Sequence, residues 1–576
     1  MNNSGARIKY GNYAVGAKEN FEPFASETLF DTLSQLKEYN LVVNNYSNPC
    51  ELYQFSLDGS ASIIPDRAKN YNIGFWSRQI SDYKGVFINP IVLTLYSEHK
   101  FSAKGISFVF DSYNEIFAND IIIKWYRDEE IISEMPFHPT DAQFNCENEV
   151  HDYNKIEIVF YSINAPENRL KITSINHGMF VWFESKNLQN IKLIQECDPI
   201  SMNISVNTAD FVLNIDSDAD YMFQKKQPVF IYFDGNLKST TFVNSFKRKS
   251  KNIWSFQTED YIGLLDEIPY TGGMFENSRA IDVLSDIFSV ARVPFYIDNT
   301  FASATITGHI PYTTCRDALM QVCFAIGAVV DTSNSEIINI FSLSDDIKQN
   351  IPLSRIMQGQ NYNEEGTVTG VSVTYHSYKK SKDVVTLYTA DSGGVGENIF
   401  IKFSQPMYDL EISNGNFALG NGGQELKNAN YAIINAKEGC VLTGKKYEHS
   451  ENVKKKNNPD AWLGEADKII SVESATLVSK NNIDKIIEIC YNYFTNTKSV
   501  NSKIIEGKHF FEGKKYGQKK YGTFKYGSDR LLYDKQISVG DIIDVEMEYG
   551  NNYRGRVIKQ TFNLNGGIIV KTATIK

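Results

Sequence analysis

The stretch IPYTTCRDALMQVCFAIGAVVDTSNSEIINIF, residues 310–341, decides whether this chain is read as chemistry or as architecture. Cys315, Ala318, Leu319, Val322, Cys323 and Ile326 recur at helical spacing and form one apolar stripe, with Thr313 or Thr314 placed to cap its start and Gly327 to stop it. Eight residues at ~1.5 Å rise put the two cysteines roughly 12 Å apart along one face, whereas a disulfide needs Cα atoms within about 7 Å. They cannot bond each other, and a free cysteine on such a stripe packs as a small hydrophobe. AVVDTSNSEIINIF then reads as a hairpin around the polar turn Asp331–Ser335. Helix, glycine-marked turn and hairpin make the stretch a folding unit.

Two further helices flank it. In NSRAIDVLSDIFSVARVPF, Ala280, Ile281, Leu284, Ile287, Phe288 and Ala291 keep the helical period behind Asn277 as cap and ahead of Pro294. In NNIDKIIEICYNYF, Ile483, Ile486, Ile487, Cys490 and Phe494 share a face. Elsewhere the period is two. PIVLTLY, GISFVFD, DIIIKWYRD, KIEIVFYSI, RLKITSI and MFVWF follow one another between turns, as an antiparallel sandwich would. SMNISV, DFVLNID, PVFIYFDGN, TTFVNSF and IWSFQTED continue in the same manner, and GTVTGVSVTYHSY alternates strictly. The lysine run in KKYEHSENVKKKNNPD, 445–460, reads as a solvated loop. The fold class expected is therefore mainly β with a few α-helices. Its divisions are an extended arm at 1–60 (with one short helix carrying Leu29, Leu33 and Leu36), a β-sandwich at 61–195, a first barrel with the α/β portion at 196–345, a β-rich unit at 346–470, and a helix with a small barrel at 471–576.

Composition agrees. The 576 residues suffice for about three to five domains, and 33 Tyr with 36 Phe favour pleated, half-buried surfaces. A formal charge of -11 and a pI of about 5.4 disfavour a polyanion, so no readout of nucleic acid sequence is expected. No run of roughly 18 apolar residues occurs and the first residues lack the apolar core of a secretion signal, so neither membrane insertion nor export is expected. Cys50, Cys146, Cys197, Cys315, Cys323, Cys440 and Cys490 are odd in number and lack any C-x-x-C, which argues against a disulfide framework or zinc knuckle.

Candidate sites mostly fail on spacing. Asp216, Asp218 and Asp220 match the start of a calcium loop, but Tyr221 stands where glycine is required and Gln227 where a bidentate Glu should be. DSGGVGEN, 391–398, is followed by neither Lys nor a helix, so it is no phosphate cradle. Eight histidines form no H-x-x-x-H or H-E-x-x-H, and G-x-S-x-G is absent. No catalytic, cofactor-binding or metal-ligating residue is assigned, and no enzyme is expected. Two aromatic sets remain as candidate glycan or subunit contacts. One is Tyr516, Tyr521 and Tyr526 in the recurring Lys-Tyr-Gly of KKYGQKKYGTFKYG; the other is Trp76, Trp125 and Trp182, for which core packing is the commoner fate.

Two resemblances span most of the chain. SLDGSASIIPD, then IGFWSRQISDYKGVFINPIVLTLYSEHKFSAKGISFVFD, then INAPENRLKITSINHG resemble the discoidin-like (coagulation factor type C) sandwiches of tail proteins from phages of Gram-positive hosts. From about residue 191, DPISMNISVNTADFVLNI, YIGLLDEIPYTGGMF, ENSRAIDVLSDIF, the opening stretch and VGDIIDVEMEYGNNYRGRVIKQTFNLNGG are similar to the tail hub family of phages and tailocins. That resemblance implies a homotrimeric ring at the distal end of a tail tube, in which two related β-barrels per chain offer six near-equivalent positions. It implies as partners the tail tube protein, the spike protein and baseplate wedge or other baseplate proteins. It implies no cofactor, no catalysis, and a place in a virion or tail-particle baseplate assembled in the bacterial host cytoplasm. The alternative is a receptor-binding tail protein whose first sandwich holds cell-surface glycan.

Overall fold

The computed structural model describes residues 5–37, 45–48, 51, 62–64, 73–197, 199–200, 203–215, 221–390, 394–420, 423–461, 468–505, 537–565 and 568–576. Cys50, the acids Asp216, Asp218 and Asp220, the start of DSGGVGEN, and Tyr516, Tyr521 and Tyr526 lie outside the described residues. The chain is mainly β, as its aromatic and β-branched content requires.

Residues 75–176 supply six strands, and Glu22–Ala25 a seventh, to an antiparallel sheet built on two long strands, Val86–Phe110 and Gln143–Ile163. Their mutual register shifts between Tyr96 and Gly105, and each half pairs with different neighbours: 93–96 with Glu22–Ala25, and 107–110 with Lys171–Asn176. Both halves line one core of Leu93, Ile106, Phe108, Phe110, Trp125, Ile158 and Phe160, so the bend lets two strands serve two layers.

The largest sheet has thirteen strands. It begins at the front of the chain: Ala6–Tyr13 pairs on one side with Gly178–Phe183 and on the other with Pro228–Phe233. Sheet membership therefore crosses positions 60 and 195, where the succession of strand-like segments places divisions. The segment expected as an extended arm supplies a strand paired on both of its edges, and 178–183 and 188–196 belong to this sheet rather than the first. Ala6, Ile8, Tyr10, Ile191, Phe211, Ile231, Val243 and Phe256 turn inward to a shared core, as the two-residue period dictates. Leu188–Glu196 then pairs with Tyr553–Asn565, which continues through Ile568–Ile575, Lys498–Ile505 and Ile356–Glu364 around a second core of Ile504, Ile543, Val545, Val557 and Ile575. Two β units, each with its own core, are thus joined edge to edge.

Five α-helices occur among the described residues: α1 (Ala17–Asn20), α2 (Tyr261–Asp266), α3 (Ala280–Ala291), α4 (Cys315–Ile326) and α5 (Ile483–Phe494). The opening stretch folds as its residues dictate. Thr314 Oγ1 accepts the Asp317 N–H at 3.2 Å, and Gly327 ends α4 in the left-handed region at φ 72°, where an added Cβ would sit 2.8 Å from Ile489 Cδ1. Val329–Asp331 pairs antiparallel with Ile338–Phe341. Thr314→Ala should cost about 1 kcal/mol in urea unfolding; an unchanged midpoint would mean that Thr313, which donates to Asp317 Oδ2 at 2.7 Å, holds the turn alone.

Helix α3 starts differently from the expectation. Its N-cap is Arg279, which forms an ion pair with Asp282, while Asn277 sits in the preceding strand at φ 51° and donates its N–H to Thr307 Oγ1. The strand Gly273–Arg279 runs on through an irregularity between Phe275 and Ser278, so the helix begins later than a capping asparagine would place it. The lysine run at 445–460 is also not a loop. Through Asn457 it is the end of the long strand Tyr431–Asn457, whose residues 447–457 pair one for one with 370–380. Lys454 and Lys456 leave that strand to meet Asp484 and Glu488 of α5, so the charges are solvated while the backbone is laddered.

Candidate functional site

Strands Ala6–Tyr13, Gly178–Phe183 and Pro228–Phe233 turn Ile8, Tyr10, Val181 and Ile231 inward, and so turn Arg7, Lys9, Phe180, Trp182, Phe230 and Tyr232 to the opposite face. These six interlock. The Arg7 guanidinium lies 4.5 Å above the Trp182 ring while its NH2 donates to Glu184 at 2.7 Å, and Trp182 meets Tyr232 at 5.4 Å. Lys9 Nζ sits 3.8 Å from the Phe180 ring, which contacts Phe230 at 5.9 Å. Burial, opposed by the Glu336 charge, holds Lys9 below the ordinary lysine range, and burial aided by Glu336 pushes Tyr232 up to about 12. Trp182 remains 43% exposed. Phe230 is buried, so the part of this face turned outward centres on Trp182, held between Arg7 and Tyr232, and an exposed aromatic of this kind is suited to another protein surface.

The other two tryptophans lie elsewhere. Trp125 is fully buried in the first sheet's core. Trp76 is buried at that sheet's edge, where Lys171 Nζ lies 4.3 Å from its ring. The three rings share no surface, so only Trp182 offers itself to a partner. Lys171 is itself enclosed: its ammonium is 3.0 Å from Glu51 Oε2 and 3.6 Å from Asp111 Oδ2, with Arg169 Nε 3.7 Å from Glu51 Oε1.

A second buried polar group joins the thirteen-stranded sheet to the helical unit. Asp260 caps α2 with Oδ1, accepting from the N–H groups of Ile262 and Gly263. Its Oδ2 accepts from Thr332 Oγ1 at 2.6 Å and Asn207 N at 3.1 Å. Asp331 accepts from Ser333 N at 2.9 Å. Burial raises Asp260 to about 6 and Asp331 to about 7; hydrogen bonds oppose the rise in both, and the Asp260 charge adds to it in Asp331.

The six described cysteines are buried and form no disulfide with one another. Burial lifts Cys315 to about 11 and Cys490 to about 12, which keeps both as unreactive thiols. A cleft of about 550 Å³ lies between α5 and the C-terminal strands, with Lys485, Arg554 and Arg556 on its wall. Those cations are committed to protein carbonyls: Lys485 to Ile326, Arg554 to Asp345, Arg556 to Ser344 and Gly540.

Strand pairing also assembles what sequence spacing did not. His376 and His449, 73 residues apart, come within hydrogen-bond distance beside Glu451. The signal for this lay in antiparallel register between VTYHSY and KKYEHSEN, which a motif search cannot read.

No protein-family model matches the chain, and no curated protein matches it. Among solved structures it is similar to the prophage MuSo2 43 kDa tail protein of Shewanella oneidensis, at 8% identity and TM-score 0.41, over 69% of this chain and 94% of that one. A tail protein of Neisseria meningitidis MC58 gives 10% and 0.40, over 68% and 92% of the two chains. The prophage tail protein gp18 of Listeria monocytogenes EGD-e gives 8% and 0.37, over 69% and 90%. With TM-scores below 0.5, these likenesses are too distant to assign the chain a family or a role.

Proposed function

We propose that this chain is a structural hub of a phage tail or contractile tail-like particle, assembling as a trimeric ring that joins the tail tube to the spike and surrounding baseplate proteins. The observation that carries the reading is the edge-to-edge joining of two β units, each with its own core, through Leu188–Glu196 and Tyr553–Asn565. Three such chains offer six β units, which is what a sixfold tube demands of a threefold adaptor and what the sequence resemblance to tail hubs implies. A continuous hydrogen-bonded ladder between the units also suits a part that transmits force, because it has no hinge there.

The face around Trp182 is the contact with a second copy of the chain in this reading. Particle mass measured across concentration should show a trimer. Trp182→Ala should leave the monomer folded and weaken association by about 2 kcal/mol or more, as removal of a central aromatic contact does. A chain that stays monomeric at high concentration and is missing from isolated tail particles would sink the proposal. Retention of that monomer on a glycan array would favour receptor binding instead.

A further inference from the structure

On the strands Gly370–Thr389 and Tyr431–Asn457, His376 is paired with Glu451 and Tyr378 with His449, so all four side chains stand on one sheet face. His376 Nδ1 lies 2.9 Å from His449 Nε2, and each of these nitrogens lies 3.8 Å from Glu451 Oε1. A tetrahedral divalent ion with bonds of ~2.0–2.1 Å to nitrogen and oxygen keeps adjacent donors about 3.3 Å apart. The three separations bracket that value, and Glu451, 60% exposed, has the rotational freedom to close on it. Among the described residues this is the one group of three His, Cys, Asp or Glu side chains whose donor atoms come this close.

The triangle is held in place from several sides. The Tyr378 ring stacks on His449 at 4.7 Å and 9°, and the His376 main-chain N–H donates to the Val478 carbonyl at 2.7 Å. The side chain of His376 is only 3% exposed, whereas His449 and Glu451 are 37% and 60% exposed. The buried imidazole therefore forms the floor, and solvent reaches the fourth corner.

We propose that His376 Nδ1, His449 Nε2 and Glu451 Oε1 together bind one divalent transition-metal ion of the zinc class, with water in the fourth position. Two imidazoles and a carboxylate suit zinc, cobalt or nickel better than calcium or magnesium. The ion would clamp the two longest strands of this sheet in register where His376 meets the segment leading into α5. The inference is independent of the hub reading.

The same 2.9 Å contact is also what a metal-free imidazole–imidazole hydrogen bond would give, and the experiment separates the two. Full-length protein stripped with a chelator is titrated with Co²⁺ and followed by visible d–d absorption, with bound Zn²⁺ counted in parallel. His449→Gln and Glu451→Gln are compared with the parent, because both positions are exposed and the fold survives there; circular dichroism checks it. The parent should gain a visible band at one Co²⁺ per chain, and each variant should weaken it by at least about 10-fold, the lower end of what losing even an outer-shell partner costs. Adventitious binding at His138–Asp120 or His151–Glu149 would not respond to either substitution. No band in the parent, or an undiminished band in either variant, overturns the site.

Discussion

Lys171→Met is expected to destabilise the first sheet by about 3–5 kcal/mol, the cost of breaking a buried ion group by removing one partner. Methionine keeps much of the volume beside Trp76, so lost packing is a minor part. The larger part is electrostatic: Glu51 and Asp111, both enclosed, lose the ammonium that lies 3.0 Å and 3.6 Å from them, and Arg169 at 3.7 Å from Glu51 replaces only part of it. Chemical unfolding of the full chain, read by a probe local to residues 75–176, measures the effect. Adding Glu51→Gln to the variant should recover part of the loss, because it removes the stranded charge. A change under about 1 kcal/mol would mean that water already reaches this group, as it does for exposed pairs.

Asp331→Asn should stabilise the chain at pH 8 and do little at pH 4. An acid whose folded-state pKa is raised holds its proton more tightly when folded. Its contribution is therefore complete below the unfolded value near 3.8 and is lost as pH rises through about 6 for Asp260 and about 7 for Asp331. Asparagine cannot ionise, yet it keeps an oxygen to accept from Ser333 N. At pH 8 the relief is on the order of 4 kcal/mol for a rise from 3.8 to about 7. Thermal unfolding of parent and variant at both pH values isolates this carboxyl, because histidines held low by burial, such as His177, titrate identically in the two. Equal stability at pH 8 would show that Asp331 stays charged at little cost.

What the sequence disclosed was local. The stripe of α4, its Thr314 cap and its Gly327 stop are decided within a few residues, so reading them needs no partner. Asn277 misled because asparagine serves both as helix cap and as a left-handed residue in an irregular strand, and the strand pairing with Thr305–Ile310 settled which. Lys454 and Lys456 suggested a loop because a charge run shows only that side chains reach water; α5, which supplies the opposing acids, lies far on in sequence. The central role of Ala6–Tyr13 and the meeting of His376 with His449 depend on register between distant strands. Alternation reports which face a residue occupies, but not which strand will lie beside it.

The junction of Leu188–Glu196 with Tyr553–Asn565 also bears on synthesis. Lys192 emerges from the ribosome long before its neighbour Asn563 exists, and at about 5–20 residues per second the interval is on the order of tens of seconds. During that time the earlier half has an unsatisfied row of amides and carbonyls along one margin, the kind of surface that recruits foreign strands. A truncated product would keep that margin open permanently, and a finished chain seals it. Translation to the last strands thus acts as a licence for solubility, and fragments ending before residue 553 should be recovered in the pellet, bound to chaperones, or degraded.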